Sequence, residues 1–317
     1  NLSLDLGFKN PADKTMYDNI TVNNGNAEFN LISVNMIPDD GVNTTGGSAE
    51  DSGQDKTITF DILNGNATFN NEQSLSSYAT NKYIYSVDYV DDQKIVFTQT
   101  GYSDGNTLKG QNIDKGPVRE FQFDNDITLN NPYLLDEDLT TTHEGIFTVL
   151  GYKDDTAEEP VTVIDGSNDH SMFEVGDNTT LNVSDIHFTN AKASMTDIEG
   201  EDKSSKGIHG SILALTGGSA ALDNVKATNN ASDGKGGAIY VNGGNLTLND
   251  IYFENNTHKL SADTEIDNDI YVEGGKTVNI TGDSTVKSGL AGEGTVNTSG
   301  NFNLEGNNKD FKGTLLV

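Results

Sequence analysis

Histidine is the side chain best suited to proton transfer or metal ligation near neutral pH, and the chain has five: His143, His170, His187, His209 and His258. No two stand at His-x-His or His-Glu-x-x-His spacing, so a surface or loop position is expected of each. His187 lies between Ile186 and Phe188, and strand alternation should point it outward. Three acidic clusters offer hard oxygen ligands suited to Ca²⁺. They are Asp263, Glu265, Asp267 and Asp269; Asp88 with Asp91 and Asp92; and Asp136-Glu137-Asp138. None has an EF-hand loop or a GGxGxD repeat, and solvated loops are the expectation. Gly166-Ser167 lacks the frame of a nucleophile elbow, and the Gly-Gly pairs lack the Lys of a phosphate-binding loop. With no cysteine, thiol catalysis, disulfides and Cys-based zinc sites are excluded. No catalytic, cofactor-binding or metal-binding residue is assigned, and no cofactor is expected.

Charge narrows the partners. Forty-nine acids stand against nineteen bases, giving a net charge of −30 over 317 residues, and Arg119 is the only arginine. Phosphate backbones need clustered Lys and Arg, so nucleic acid is excluded, and anionic membrane surfaces are disfavoured on the same ground. The apolar fraction of 33% is below the usual 45–50% or so. Such a composition fits either disorder or a thin core running along an elongated molecule. Regular apolar spacing favours the second. No apolar run approaches the ~20 residues of a membrane span, and NLSLDLGFKN is neither a basic n-region nor a signal h-region. A mature or excised fragment is expected.

The elements that would position any site are short. An apolar-x-apolar pair recurs at Phe147/Val149, Phe173/Val175, Leu213/Leu215, Ile239/Val241 and Ile270/Val272. Second pairs follow a Gly- or Asn-rich corner at Leu181/Val183, Ala220/Leu222, Leu246/Leu248 and Val278/Ile280. Third pairs follow closely at Ile186/Phe188, Val225/Ala227 and Ile251/Phe253. Spacing of two puts both side chains of a pair on one strand face. Gly217-Gly218, Gly243-Gly244 and Gly274-Gly275 supply the positive φ of tight corners. Lys192 to Lys206 and Thr257 to Asp269 read as polar loops leaving a corner. No helical register is sustained. A β-sandwich is the competing architecture, but strands this short, with corners repeating in phase, fit a parallel β-solenoid. Asn224, Asn249, Asn255 and Asn256 fit either side-chain ladders along the stack or plain turn residues.

Residues 141–317 carry this pattern, whereas residues 1–140 are a less regular β region, either early coils or a separate subdomain. NNGNAEFN (23–30) and NGNATFNN (64–71) share a corner-then-strand form, and DNDITLNN (124–131) keeps its strand half. YIYSVDYVDDQKIVFTQTGY (83–102) alternates as ordinary β-strands do.

Gly236-Gly237-Ala238-Ile239 followed by Phe253-Glu254-Asn255-Asn256 resembles the paired GGAI and FxxN signatures of polymorphic outer membrane proteins, a group of autotransporter passengers. TVIDGSNDHSMFEV (162–175) leading into LNVSDIHFTN (181–190) resembles the pectin-lyase-like β-helix pattern. LEGNNKDFKGTLLV (304–317) is similar to the autotransporter-associated strand repeat, with Gly306, Asn307, Gly313 and Thr314 at its core. The resemblance covers about residues 145–317. Residues 173–190 keep Phe188 but have Ala191 in the Asn place, and 213–230 carries neither signature. The resemblance implies a right-handed parallel β-helix, export through an outer membrane and display on a bacterial surface, commonly for adhesion. Gly207-Ile208-His209-Gly210 is similar to the Gly-His-Gly element of polygalacturonase-like hydrolases, but the Arg-x-Lys pair of those enzymes is absent.

The expected fold is therefore all-β, a right-handed parallel β-helix with polar loop excursions. The expected function is a non-enzymatic surface or secreted passenger segment, an adhesin-like stalk or binding module. Loops 191–208 and 257–269 would meet an unspecified host-surface protein or glycan, with self-association a further option. A carbohydrate-active β-helix enzyme and a purely structural cell-surface spacer are the alternatives.

Overall fold

The computed structural model describes residues 2–6, 18–36, 57–80, 83–102, 107–108, 118–122, 133–135, 144–152, 159–194, 208–261 and 264–317. Among them the regular elements are strands, apart from one 3₁₀ turn at Asn71–Gln73. The fold is all-β, and its largest sheet is mostly parallel.

Three parallel stacks build the carboxyl-terminal half. The first runs through Phe173–Val175, Leu213–Leu215, Ile239–Val241, Ile270–Val272 and Leu290–Gly292. The second takes Gly145–Leu150, the first halves of Thr179–Thr189 and Ser219–Thr228, then Asn245–Asn249, Thr277–Thr281, Thr295–Thr298 and Thr314–Leu316. The third takes Thr162–Asp165, the second halves of the same two long strands, Tyr252–Glu254, Asp283–Val286 and Asn301–Leu304. Because the register holds from repeat to repeat, like side chains meet like. Leu213, Ile239, Ile270 and Leu290 form one such column, and Leu181, Ala220, Leu246, Val278 and Val296 form another. These inward residues make one continuous apolar cluster from Phe121 to Val296. That is the thin, long core the composition implied.

One pair belongs elsewhere than its spacing suggested. Phe147 and Val149 lie opposite Leu181 and Val183 in the second stack, not in the column of Phe173/Val175. Same-face pairs look alike in a sequence, and only hydrogen-bonded register separates the columns.

Corners repeat as strictly as strands. Between the second and third stacks the left-handed position is held in turn by Asp185, Asn224, Asp250, Gly282 and Gly300. After the third stack it is held by Asn190, Asn229 and Asn255. Asn and Asp tolerate this backbone because a short polar side chain bonds locally. The two readings of Asn divide by position. Asn224 donates to Asp185 at 2.8 Å and Asn249 to Asp223 at 2.6 Å, each reaching the adjacent repeat. Asn255 supplies only the turn.

The polar excursions also differ from the expectation. Lys192–Ala193 is a strand that stacks on Ala231–Ser232, and Thr257–Ser261 continues that stack. Thr257–Ser261 then pairs antiparallel with Thr264–Asp267, so the second excursion is a hairpin rather than a loop. It closes on Asn268 and Asp269, both buried in the body.

In the amino-terminal part the two related stretches lie side by side. Ile20–Phe29 pairs parallel with Leu63–Phe69, setting Ala27 opposite Ala67 and Phe29 opposite Phe69. Tyr83–Val90 and Lys94–Tyr102 form an antiparallel hairpin flanked by Thr57–Asp61 and Ser77–Thr80. Phe60, Tyr78, Tyr85 and Phe97 fill a second core with edge-to-face and tilted rings. Val118–Gln122 pairs parallel with both Ser77–Thr80 and Gly145–Leu150, which joins the halves in one sheet. Residues 124–131 lie outside the described residues.

Candidate functional site

The Gly236–Ile239 motif is a corner whose every residue type has a steric reason. Gly236 sits at φ +72°, and a Cβ there would stand 2.0 Å from the carbonyl oxygen of Ile239. Gly237 leaves no room for a side chain either: its Cβ would meet the oxygen of Asn268 at 2.4 Å and the nitrogen of Thr257 at 2.5 Å. Ala238 is fully buried, and Ile239 and Phe253 enter the core. Asn256, also fully buried, bonds along the corner above and below. The two signatures therefore meet in space, since Gly237 packs against the backbone of Asn256.

This corner presents a polar cluster on the outer side of the first stack. Lys235 precedes the motif, and Tyr240 follows it, directly opposite Tyr271 of the next repeat. Glu273 accepts from the Tyr240 hydroxyl at 3.0 Å and pairs with the Lys235 ammonium, which sits 4.7 Å over the Tyr271 ring. His209 stacks on Tyr240 with ring centroids 4.4 Å apart. Its Nδ1 accepts the backbone N–H of Lys235 at 2.8 Å, which leaves the ring proton on Nε2. Burial, then the Lys235 charge, lowers its pKa from the usual histidine value. Burial opposes the Lys235 ammonium, but Glu273 and Tyr271 more than offset it and raise its pKa. Burial raises the Tyr240 pKa as well, with Glu273 adding to it. These contacts join residues of successive repeats and so tie the repeats together.

A second cross-repeat cluster lies on the outer side of the third stack. Lys226 and Lys287 flank the Tyr252 ring at 5.2 and 4.9 Å. Glu159 and Glu254 balance the two ammonium groups. His187 points to this outer side as alternation requires, yet it is buried rather than exposed. Its Nε2 meets Thr228 Oγ1 at 2.8 Å. Burial, reinforced by Lys226, pushes its pKa down to about 4.

Among the described residues the remaining candidates do not converge. His258 is buried against Tyr271, and Asp267 is exposed while Asp269 is buried. Asp91 and Asp92 form the left-handed tip of the aromatic hairpin, where Asp92 accepts from Asn71. His143, Asp136 to Asp138, Gly207, Asp263 and residues 195–207 of the first excursion lie outside the described residues. Among the described residues no group of three or more His, Asp or Glu side chains is arranged to hold a metal ion.

The tyrosine cluster was missed from sequence, although a signal existed. The tripeptide Ile-Tyr-Val occurs at 239–241 and again at 270–272, and stacking it in register places one tyrosine on the next. No protein-family profile, curated protein or solved structure matches the chain.

Proposed function

We propose that the chain is a right-handed parallel β-helix serving as a non-enzymatic passenger segment, displayed on or secreted from a bacterial surface and used for binding. The observation that supports it most is the contrast between invariant and variable parts. Three apolar columns keep register through successive repeats, whereas the excursion after the third stack changes length and form from one repeat to the next. A right hand is the expected one, because crossovers between parallel strands of one sheet are right-handed in nearly all cases. Such a rod gives reach at low apolar content, and its variable corner gives a place for specificity to change without disturbing the core.

Purified chain coupled to beads, presented to host cells and to a glycan array, tests the reading. Saturable retention competed by free protein is expected. Retention on neither surface would favour a spacer, and release of products from any glycan would favour an enzyme; each result overturns the proposal.

A further inference from the structure

The outer side of the second stack differs from the rest of this strongly acidic surface. In its central strands the outward residues are Asn245 and Thr247, Thr277 and Asn279, Thr295 and Asn297. None is charged, and the equivalent positions in the flanking strands, from Thr179–Thr189 to Thr314–Leu316, are uncharged too. The third outward position, Ser184, Asp223, Asn249 and Thr281, borders these two rows and carries one acid, Asp223, to which Asn249 donates. By contrast, the outer side of the third stack carries Lys226, Glu254 and Lys287. Asn245, Thr247, Thr277 and Asn279 are exposed. In-register pairing sets the six side chains in two straight rows along the stack. Neighbours in a row are about 4.8 Å apart, and the rows are separated by two residues of strand, roughly 7 Å. Bonds along a row fix the side chains, as where Asn297 Nδ2 donates to Asn279 Oδ1 at 3.0 Å.

We propose that this face binds a neutral, extended polysaccharide lying along the stack. Hydroxyl and amide groups both donate and accept, as sugar hydroxyls do. The spacing between neighbours along a row, about 4.8 Å, is close to the length of one pyranose unit, so successive repeats meet successive sugars. Charge decides the class: a chain of net charge −30 repels uronate or sulfated polymers. Each repeat contributes few bonds, so binding depends on many repeats engaging one polymer. The inference deepens the binding role proposed above and rests on it.

Co-sedimentation of the full chain with insoluble cellulose, chitin and mannan tests the idea, with polygalacturonate gel as the charged comparator. Retention is expected on at least one neutral polymer and not on polygalacturonate. Soluble oligosaccharides of that polymer should compete better as they lengthen. The pair Thr247→Asp and Asn279→Asp should cut retention roughly tenfold or more, as expected when avidity along a row is broken. Thr285→Asp with Asn303→Asp, which adds the same charge to the third stack, should leave it unchanged. Circular dichroism confirms that both variants are folded. Retention on no neutral polymer, equal retention on polygalacturonate, or equal loss in the two variants would each overturn the inference. Host-cell binding without polysaccharide retention would sink this inference alone and leave the passenger reading standing.

Discussion

The side-chain amide of Asn230 donates to Oδ1 of Asn256, one repeat away, at 2.8 Å, and both side chains are completely buried. The pair belongs to a polar column inside the corner after the third stack. Oδ1 of Asn230 accepts the backbone N–H of Ala191, and Oδ1 of Asn256 accepts that of Asn230. Their amides also donate to the carbonyls of Phe188 and Ala227. Asn256 then reaches Asp269 at 2.6 Å, whose other oxygen accepts the N–H of Ser288. A turning backbone exposes N–H and C=O groups that no strand satisfies, and here one side chain per repeat satisfies them.

Asn256→Ala should therefore be costly. It strands the N–H of Asn230, the carbonyl of Ala227 and a carboxylate oxygen of Asp269, each a buried group worth about 1–3 kcal/mol when left unpaired. A loss of about 3 kcal/mol or more in urea unfolding is expected. Asn255→Ala, in the neighbouring left-handed position, should cost about 1 kcal/mol through backbone strain alone. Equal effects would contradict the division between ladder and turn.

The same column predicts how stability responds to acid. Burial raises the Asp269 pKa to about 6, outweighing the bonds from Asn256, Ser288 and Gly289 that favour the anion. The folded state thus holds this proton more tightly than the unfolded chain. Its contribution is greatest below pH 4 or so and is lost as pH rises to about 6, a span of about 3 kcal/mol. His187 acts in the opposite sense. With its pKa lowered to about 4, it supports the fold above its ordinary value of 6.5 and withdraws that support as pH falls from there to about 4. His209 and His258, also lowered chiefly by burial, share that sign. Asp269→Asn should leave a protein that loses stability steadily from pH 6.5 to 4. His187→Gln should weaken that acid loss. Melting temperatures across pH 4–7 check both, and parallel profiles for the two variants would refute the assignment.

Glycine requirements can be separated by substitution. Gly237→Ala drives a methyl into backbone atoms of Asn268, Thr257 and Asn256, which cannot retreat without breaking the corner; a loss of about 3 kcal/mol or more is expected. Gly275→Ala meets nothing within 4 Å but keeps φ at +77°, so strain of about 1–2 kcal/mol is expected. Gly176→Ala has open space and an ordinary φ and should be neutral or stabilise slightly. Thermal unfolding of the three should rank them in that order.

Much of this was legible because a parallel stack writes its register into the sequence. Apolar pairs mark a position in each repeat, Gly-Gly corners mark three of the turns, and the GGAI-to-FxxN interval marks the repeat at 236–256. What escaped notice was whatever depends on the partner repeat. Residues 227–230 keep Asn230 in the ladder position while Ala227 replaces Phe, so the repeat looked unmarked although its ladder residue is present. His187 alternates outward as expected, yet the neighbouring repeats cover it. Asp269 read as the last acid of a loop because nothing local shows that Asn256 and Ser288 wait for its carboxylate. The hairpin at 257–267 escaped because its second strand, Thr264–Asp267, pairs with the first rather than with another repeat.

That hairpin gives the sharpest test of where the body ends. Thr257 pairs with Asp267 and His258 with Ile266, so residues 259–265 can be replaced by Asn-Gly, a two-residue turn suited to an antiparallel pair. The exchange removes the Lys259–Asp233 ion pair, a partly exposed contact worth at most about 1 kcal/mol. It keeps Asn268 and Asp269, which occupy the buried corner. Removing 257–269 entirely would take those two residues as well, leaving Asn256 and the N–H of Ser288 without their carboxylate and Gly237 without the carbonyl of Asn268. The short replacement should melt within a few degrees of the parent, and the long deletion should unfold or aggregate. If both melt alike, the corner is not held by this column.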